Sequence, residues 1–91
     1  EERAAGRMDA AFVARAQLAM MEADLDHGIP PPSGRTAVSS NERNYQIETS
    51  VARQDEFYDV HLRISWEWLG HGEQAEFVRR MRRHGATAGT P

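Results

Sequence analysis

The residues best suited to bind a transition metal are four histidines, at positions 27, 61, 71 and 84. A zinc site gathers three or four donors around one ion, which in sequence usually means a short spacing such as His-x-x-x-His or cysteines placed beside the histidines. No two of the four stand at such a spacing, and the chain has no Cys. The acids Asp55, Glu56 and Asp59 lack the alternating positions and the turn glycine of a calcium loop. Nucleophilic catalysis needs a hydroxyl activated by a base that is itself held by an acid, and nothing of the kind surrounds Ser39 and Ser40. There is no Gly-rich phosphate loop either. These residues predict no catalytic group, no metal and no cofactor.

Arg79, Arg80, Arg82 and Arg83 cluster beside Phe77, the arrangement that a contact with nucleic acid would use. In a strand, however, Arg79 and Arg80 point to opposite faces. The chain as a whole carries 14 acidic and 11 basic residues, all of the latter Arg, for a net charge of −3. That balance gives no general attraction to nucleic acid or to an anionic membrane. The cluster reads as a solvated or subunit-facing edge, where charge also discourages stray strand pairing.

The elements that would position these groups divide the chain in two. Residues 3–27 contain no Pro and are rich in Ala, Met, Leu, Arg, Glu and Gln, which favours a helix. Gly28 and Pro30-Pro31-Pro32 end it. Residues 28–43 are polar and aperiodic and read as a linker. Tyr45, Ile47, Thr49 and Val51 then alternate with polar residues, as do Tyr58, Val60, Leu62, Ile64, Trp66 and Trp68, and the period of two predicts strands with one buried face. After a turn at Gly70-His71-Gly72, residues 75–81 predict a third strand. From Gly85 on, Gly, Ala and Thr predict a disordered tail. The expectation is one α+β domain over residues 1–84, with the helix covering a three-stranded antiparallel meander.

The helix carries more apolar surface than one sheet face can use. One stripe runs through Ala5, Met8, Phe12, Ala16, Ala19 and Ala23, flanked by Val13 and Met20; a second contains Ala11, Ala14, Leu18, Met21 and Leu25. The first, with Met8 and Phe12, is assigned to the core together with Tyr58, Val60, Leu62, Ile64, Trp66 and Trp68. The second is assigned to a partner helix. Glu22, Asp24 and Asp26 oppose the dipole at the helix end and suit a cationic neighbour. No run approaches the roughly 18 apolar residues of a membrane span. The chain opens at Glu1-Glu2-Arg3 without a capping residue, as expected of a helix continued from upstream.

An Ala-rich amphipathic helix, a Pro/Gly linker, strands reading Tyr45-x-Ile47-x-x-x-Val51 and Leu62-x-Ile64-x-Trp66 with Arg63 between, and a basic last strand together resemble the minor pseudopilins of type II secretion, specifically the I component of the general secretion pathway. The resemblance spans residues 4–82. It implies a pilin-like fold and a periplasmic domain that joins the inner membrane only through a transmembrane helix absent from this chain. It further implies J-like and K-like minor pseudopilins as partners at the pseudopilus tip, where they start assembly. A minor type IV pilin and a small α+β module binding a ligand or nucleic acid through the open sheet face are the alternative readings.

Overall fold

The computed structural model describes residues 2–82. The tail expected over residues 85–91 lies outside them, as do Arg83 and His84. Helix α1 spans Glu2–Asp26 and ends in a Schellman motif. The amide of Ile29 donates to the carbonyl of Asp24 (3.0 Å) and that of Gly28 to Leu25 (3.0 Å). Gly28 takes the left-handed conformation this needs, at φ 80°.

Four strands follow where three were expected: β1 Gly34–Ser40, β2 Arg43–Gln54, β3 Phe57–Trp68 and β4 His71–Arg82. They form one antiparallel sheet in the order β1-β2-β3-β4. The extra strand, β1, occupies what reads in sequence as linker. It is an edge strand with one neighbour, so only Val38 and Ser40 are even half-buried and no hydrophobic alternation develops. Its pairing is set by a two-residue hairpin, since Ser40 opposes Arg43. Both loop residues, Asn41 (φ 51°) and Glu42 (φ 65°), take the positive φ values of a type I′ turn. The last hairpin turns at Leu69-Gly70 instead of Gly70–Gly72, with Trp68 opposite His71. Strand β4 therefore starts four residues before the expected Ala75. With Gln54 opposite Phe57, β2 and β3 are likewise joined by two residues, so the three long strands stay in register almost end to end.

The helix lies along this ribbon, which explains an elongated shape of 52 × 19 × 18 Å. Arg3 and Arg7 reach Glu73 near the start of β4, and Glu22 meets Arg79 further along it, so helix and strand run the same way. The core between them is Ala10, Val13, Ala14, Leu18, Met21 and Leu25 from the helix and Tyr45, Ile47, Val60, Leu62, Ile64, Trp66 and Met81 from the sheet. Tyr58 is half-buried and packs against this core; Trp68, expected in the core, lies outside it at the sheet's end, half-buried with the Arg3 guanidinium 5.6 Å from its ring centre.

The assignment of the two helix stripes is corrected. Ala14, Leu18, Met21 and Leu25, expected to meet a partner, are core residues, and Ala11 is half-buried. Met8 and Phe12, expected in the core, stand 73% and 59% exposed. Two residues near the helix start decide this. Gly6 faces the sheet so closely that a Cβ there would lie 3.0 Å from Trp66 Nε1. Asp9 faces it too and hydrogen-bonds to the sheet. A helix held on Gly6 and Asp9 turns Met8 and Phe12 outward, and further along it buries bulky Leu18, Met21 and Leu25 in preference to alanines, which removes more apolar area from water.

Candidate functional site

The outward stripe is built from Ala5, Met8, Phe12, Ala16, Ala19 and Ala23, all exposed. Spacings of three and four residues keep them on one face along about five turns of helix. Met20, 60% exposed, borders the stripe on one side. Arg15 and Glu22 border it on the other, two turns apart; both are exposed, and Glu22 also holds Arg79 at 3.0 Å. No charged residue interrupts the stripe between Ala5 and Ala23. Isolated exposed apolar residues are ordinary, but a contiguous row that includes Phe and Met marks a surface for association.

The opposite side of the molecule, the open face of the sheet, has a different character. Glu48 lies between Arg35 (3.4 Å) and Arg63 (3.7 Å), and His61 Nε2 lies 3.0 Å from Glu76. Arg80 grips Asp59 with two hydrogen bonds of 2.7 and 3.1 Å, and that pairing holds the Asp59 carboxyl below its ordinary pKa. Arg82 meets Glu56 at 2.7 Å, and both Arg80 and Arg82 stack on the Phe57 ring. The basic cluster read from the sequence is thus dispersed. Arg79 points to the helix side and Arg80 and Arg82 to the open side, each matched with an acid, which leaves little unpaired charge for phosphate.

Two carboxylates are buried where the helix meets the sheet: Glu73, held by Arg3 and Arg7, and Asp9, which has the larger network. Asp9 accepts hydrogen bonds from the Tyr45 hydroxyl (2.8 Å), Ser40 (3.0 Å) and Asn41 (2.9 Å), with Arg43 at 4.0 Å. Burial acts to raise the Asp9 pKa, but the donors and the Arg43 charge outweigh it and hold the carboxyl below the ordinary aspartate value. Tyr45 responds in the opposite sense: burial, then the hydrogen bond to Asp9 and its negative charge, push the phenol up to about 12. This network ties the β1–β2 turn to the helix. Among the described residues no buried side-chain nitrogen or oxygen lacks a hydrogen-bond partner, and the role of this network is architectural.

No family model, curated protein or solved structure matches this chain.

The residues weighed for chemistry in the sequence do not converge. His27 binds the Ala23 carbonyl (3.0 Å) at the helix end, His61 lies on the open face and His71 in the last hairpin. Among the described residues, no three His, Cys, Asp or Glu are grouped so as to hold a metal ion. Ser39 donates to Asn44 (2.8 Å) and Ser40 to Asp9, and neither hydroxyl bonds a histidine among the described residues. A hollow lined by Arg43, Asn44, Gln46, Ser65, Trp66 and Glu67 opens broadly to solvent, unlike the enclosed pockets that hold small ligands. No helix among the described residues is long and apolar enough to cross a membrane.

Sequence reasoning recognised that the helix had a surplus apolar face but chose the wrong one. Side-chain size held the missing signal. In the second half of the helix one stripe offers Leu18, Met21 and Leu25 and the other only Ala16, Ala19 and Ala23, and a sheet gains most by covering the larger set.

Proposed function

We propose that this chain is an assembly subunit, a minor pseudopilin of the type II secretion I-component kind, whose business is to bind other pilin-like chains and which performs no catalysis. The observation that carries the reading is the outer stripe of α1, with Met8 and Phe12 largely exposed to a neighbour. A long N-terminal helix lying over an antiparallel sheet, with the opposite helix face apolar and free, is the arrangement a subunit needs if its helices are to pack together while its sheets face outward. On this reading the domain works in the periplasm, held to the inner membrane, and meets J-like and K-like minor pseudopilins through Met8, Phe12 and the alanines beyond them.

The test is a Met8→Asp/Phe12→Asp variant. Its thermal midpoint should stay within a few degrees of the parent, because both side chains are already wet, while co-elution with J-like and K-like pseudopilin domains of the same system should be lost. Undiminished complex formation by a folded variant would refute the reading.

A further inference from the structure

We infer that the outer face of α1 also receives a second copy of this chain, the two helices packing antiparallel about a two-fold axis with Phe12 of each over Ala23 of the other. The inference rests on the reading of this face as an interaction surface and specifies an occupant for it.

Three features of the stripe select that occupant. The first is its period. Ala5, Met8 and Phe12 are repeated eleven residues later by Ala16, Ala19 and Ala23. An eleven-residue repeat corresponds to about 3.67 residues per turn, close to a straight helix. A helix clamped along a sheet is not free to supercoil, so a nearly straight seam is the kind it can offer.

The second is shape. The stripe is bulky at one end, with Met8 and Phe12, and small at the other, with Ala16, Ala19 and Ala23, and all five are exposed. Such a surface complements itself only when reversed. Placed antiparallel, Phe12 fills the space over Ala23 of the second copy while Ala16 meets Ala19 at close approach. Placed parallel, Phe12 would collide with Phe12 and a gap would run along the alanines. An isologous two-fold contact of this type closes after two subunits.

The third is charge. The exposed charges that border the seam are Arg15 and, two turns on, Glu22, which also holds Arg79, whereas Arg3 and Arg7 are taken up by Glu73. A two-fold axis perpendicular to the helices keeps each flank of the seam on the same side, so Arg15 of one copy comes opposite Glu22 of the other, twice over. In a parallel pair the flanks exchange and Arg15 would face the side that carries Met20. Antiparallel dipoles add to the preference. One helix seam is small beside the ~1,200–2,000 Å² of a standard interface, so the dimer is reversible and yields the stripe to an assembly partner.

The experiment is sedimentation equilibrium of the 91-residue chain over a range of concentrations, with circular dichroism confirming that each variant is folded. The parent should show a monomer–dimer equilibrium, and Phe12→Asp should weaken it about thirtyfold or more. Arg15→Glu and Glu22→Arg should each weaken it about tenfold, and the double exchange Arg15→Glu/Glu22→Arg should restore the parent constant, since it rebuilds both cross-seam pairs but not the internal pair of Glu22 with Arg79. A parent that stays monomeric at millimolar concentration, a dimer that survives Phe12→Asp, or a double exchange no tighter than the single variants would each overturn the antiparallel seam. None of these measurements contains a second protein, so they leave the assembly reading to its own test. Loss of self-association with retained co-elution removes only this inference, and retained self-association with co-elution indifferent to Phe12 removes only the assembly reading.

Discussion

The two apolar stripes of helix α1 have opposite fates, although both carry bulky apolar residues. The inner one, Ala10, Val13, Ala14, Leu18, Met21 and Leu25, is almost wholly excluded from solvent, whereas the outer one keeps Met8 and Phe12 in water. Hydrophobicity alone does not separate them. What does is the company of each stripe: Gly6 and Asp9 lie beside the inner one, and both make contacts that only one orientation of the helix permits. A close approach and a buried carboxylate act as directional constraints on an attraction that has no direction of its own.

The largest expected effect tests which stripe is structural. Leu18→Asp places an unpaired charge in the apolar core between helix and sheet and should cost at least about 4 kcal/mol. That is most of the stability of a domain this small, so the variant should show no cooperative thermal transition by circular dichroism. A folded Leu18→Asp protein would mean that the inner stripe does not face the sheet. Trp66→Ala comes next. The ring is 5% exposed, packs on Tyr45 at 5.6 Å between centroids and closes on Gly6, so its loss should cost about 3–5 kcal/mol in urea denaturation.

How far the sequence foretold this architecture depends on whether the relevant signal was periodic. Strand β3 was legible because six apolar residues alternate without a break, and β2 because Tyr45, Ile47, Thr49 and Val51 alternate with polar residues. The helix was legible from composition and from Gly28 with the prolines that follow it. Strand β1 was not, because an edge strand whose one apolar residue turned toward the core is Val38 has no pattern to read, and its turn at Asn41-Glu42 lacks the Gly that usually marks such hairpins. The orientation of the helix was legible only in side-chain size along its second half, and its first half, where Met8 and Phe12 are the bulky pair, pointed the other way. It depends on Asp9 meeting Tyr45 and on Gly6 meeting Trp66, contacts between residues 36 and 60 positions apart that no periodicity within one element reports. The candidate surface was therefore visible as a surplus of apolar helix before it could be placed.

The polar anchor can be weighed separately from the apolar one. Asp9→Asn keeps the shape but gives up the charge that Tyr45, Ser40, Asn41 and Arg43 surround, and should cost about 1–3 kcal/mol near neutral pH. The sign of its pH dependence follows from the direction of the shift. Because the folded protein holds Asp9 below the ordinary carboxyl value, the parent's advantage is present above about pH 4 and is lost as the pH falls through the lower, folded pKa, so the two denaturation curves should converge in acid. Tyr45 predicts the alkaline counterpart. Its pKa is raised from 10.0 to about 12, so folding favours the protonated phenol. That contribution is intact below pH 10 and declines as the pH rises toward 12, and Tyr45→Phe should lack this part of the alkaline decline. Equal pH profiles for parent and variants would show that the network does not hold the helix.

The smallest expected effect is the one on which the contrast between the stripes finally depends. Phe12 is the largest side chain on the outer face and 59% exposed, so truncating it to Ala removes contacts that are mostly with water. The part of the ring that does touch the helix surface is worth something, but Ala is the better helix former by several tenths of a kcal/mol, and the two terms nearly cancel. Phe12→Ala should therefore change the stability of the monomer by no more than about 0.5 kcal/mol, measured by urea denaturation in dilute solution where self-association does not contribute. A loss beyond about 2 kcal/mol would place Phe12 in the core and reverse the order of the stripes. A change near zero, alongside a large loss from Leu18→Asp, would mean that the helix spends one face on folding and keeps a second of similar chemistry for other molecules, which is why a residue as large and apolar as Phe12 can stand in water here without stabilising the fold.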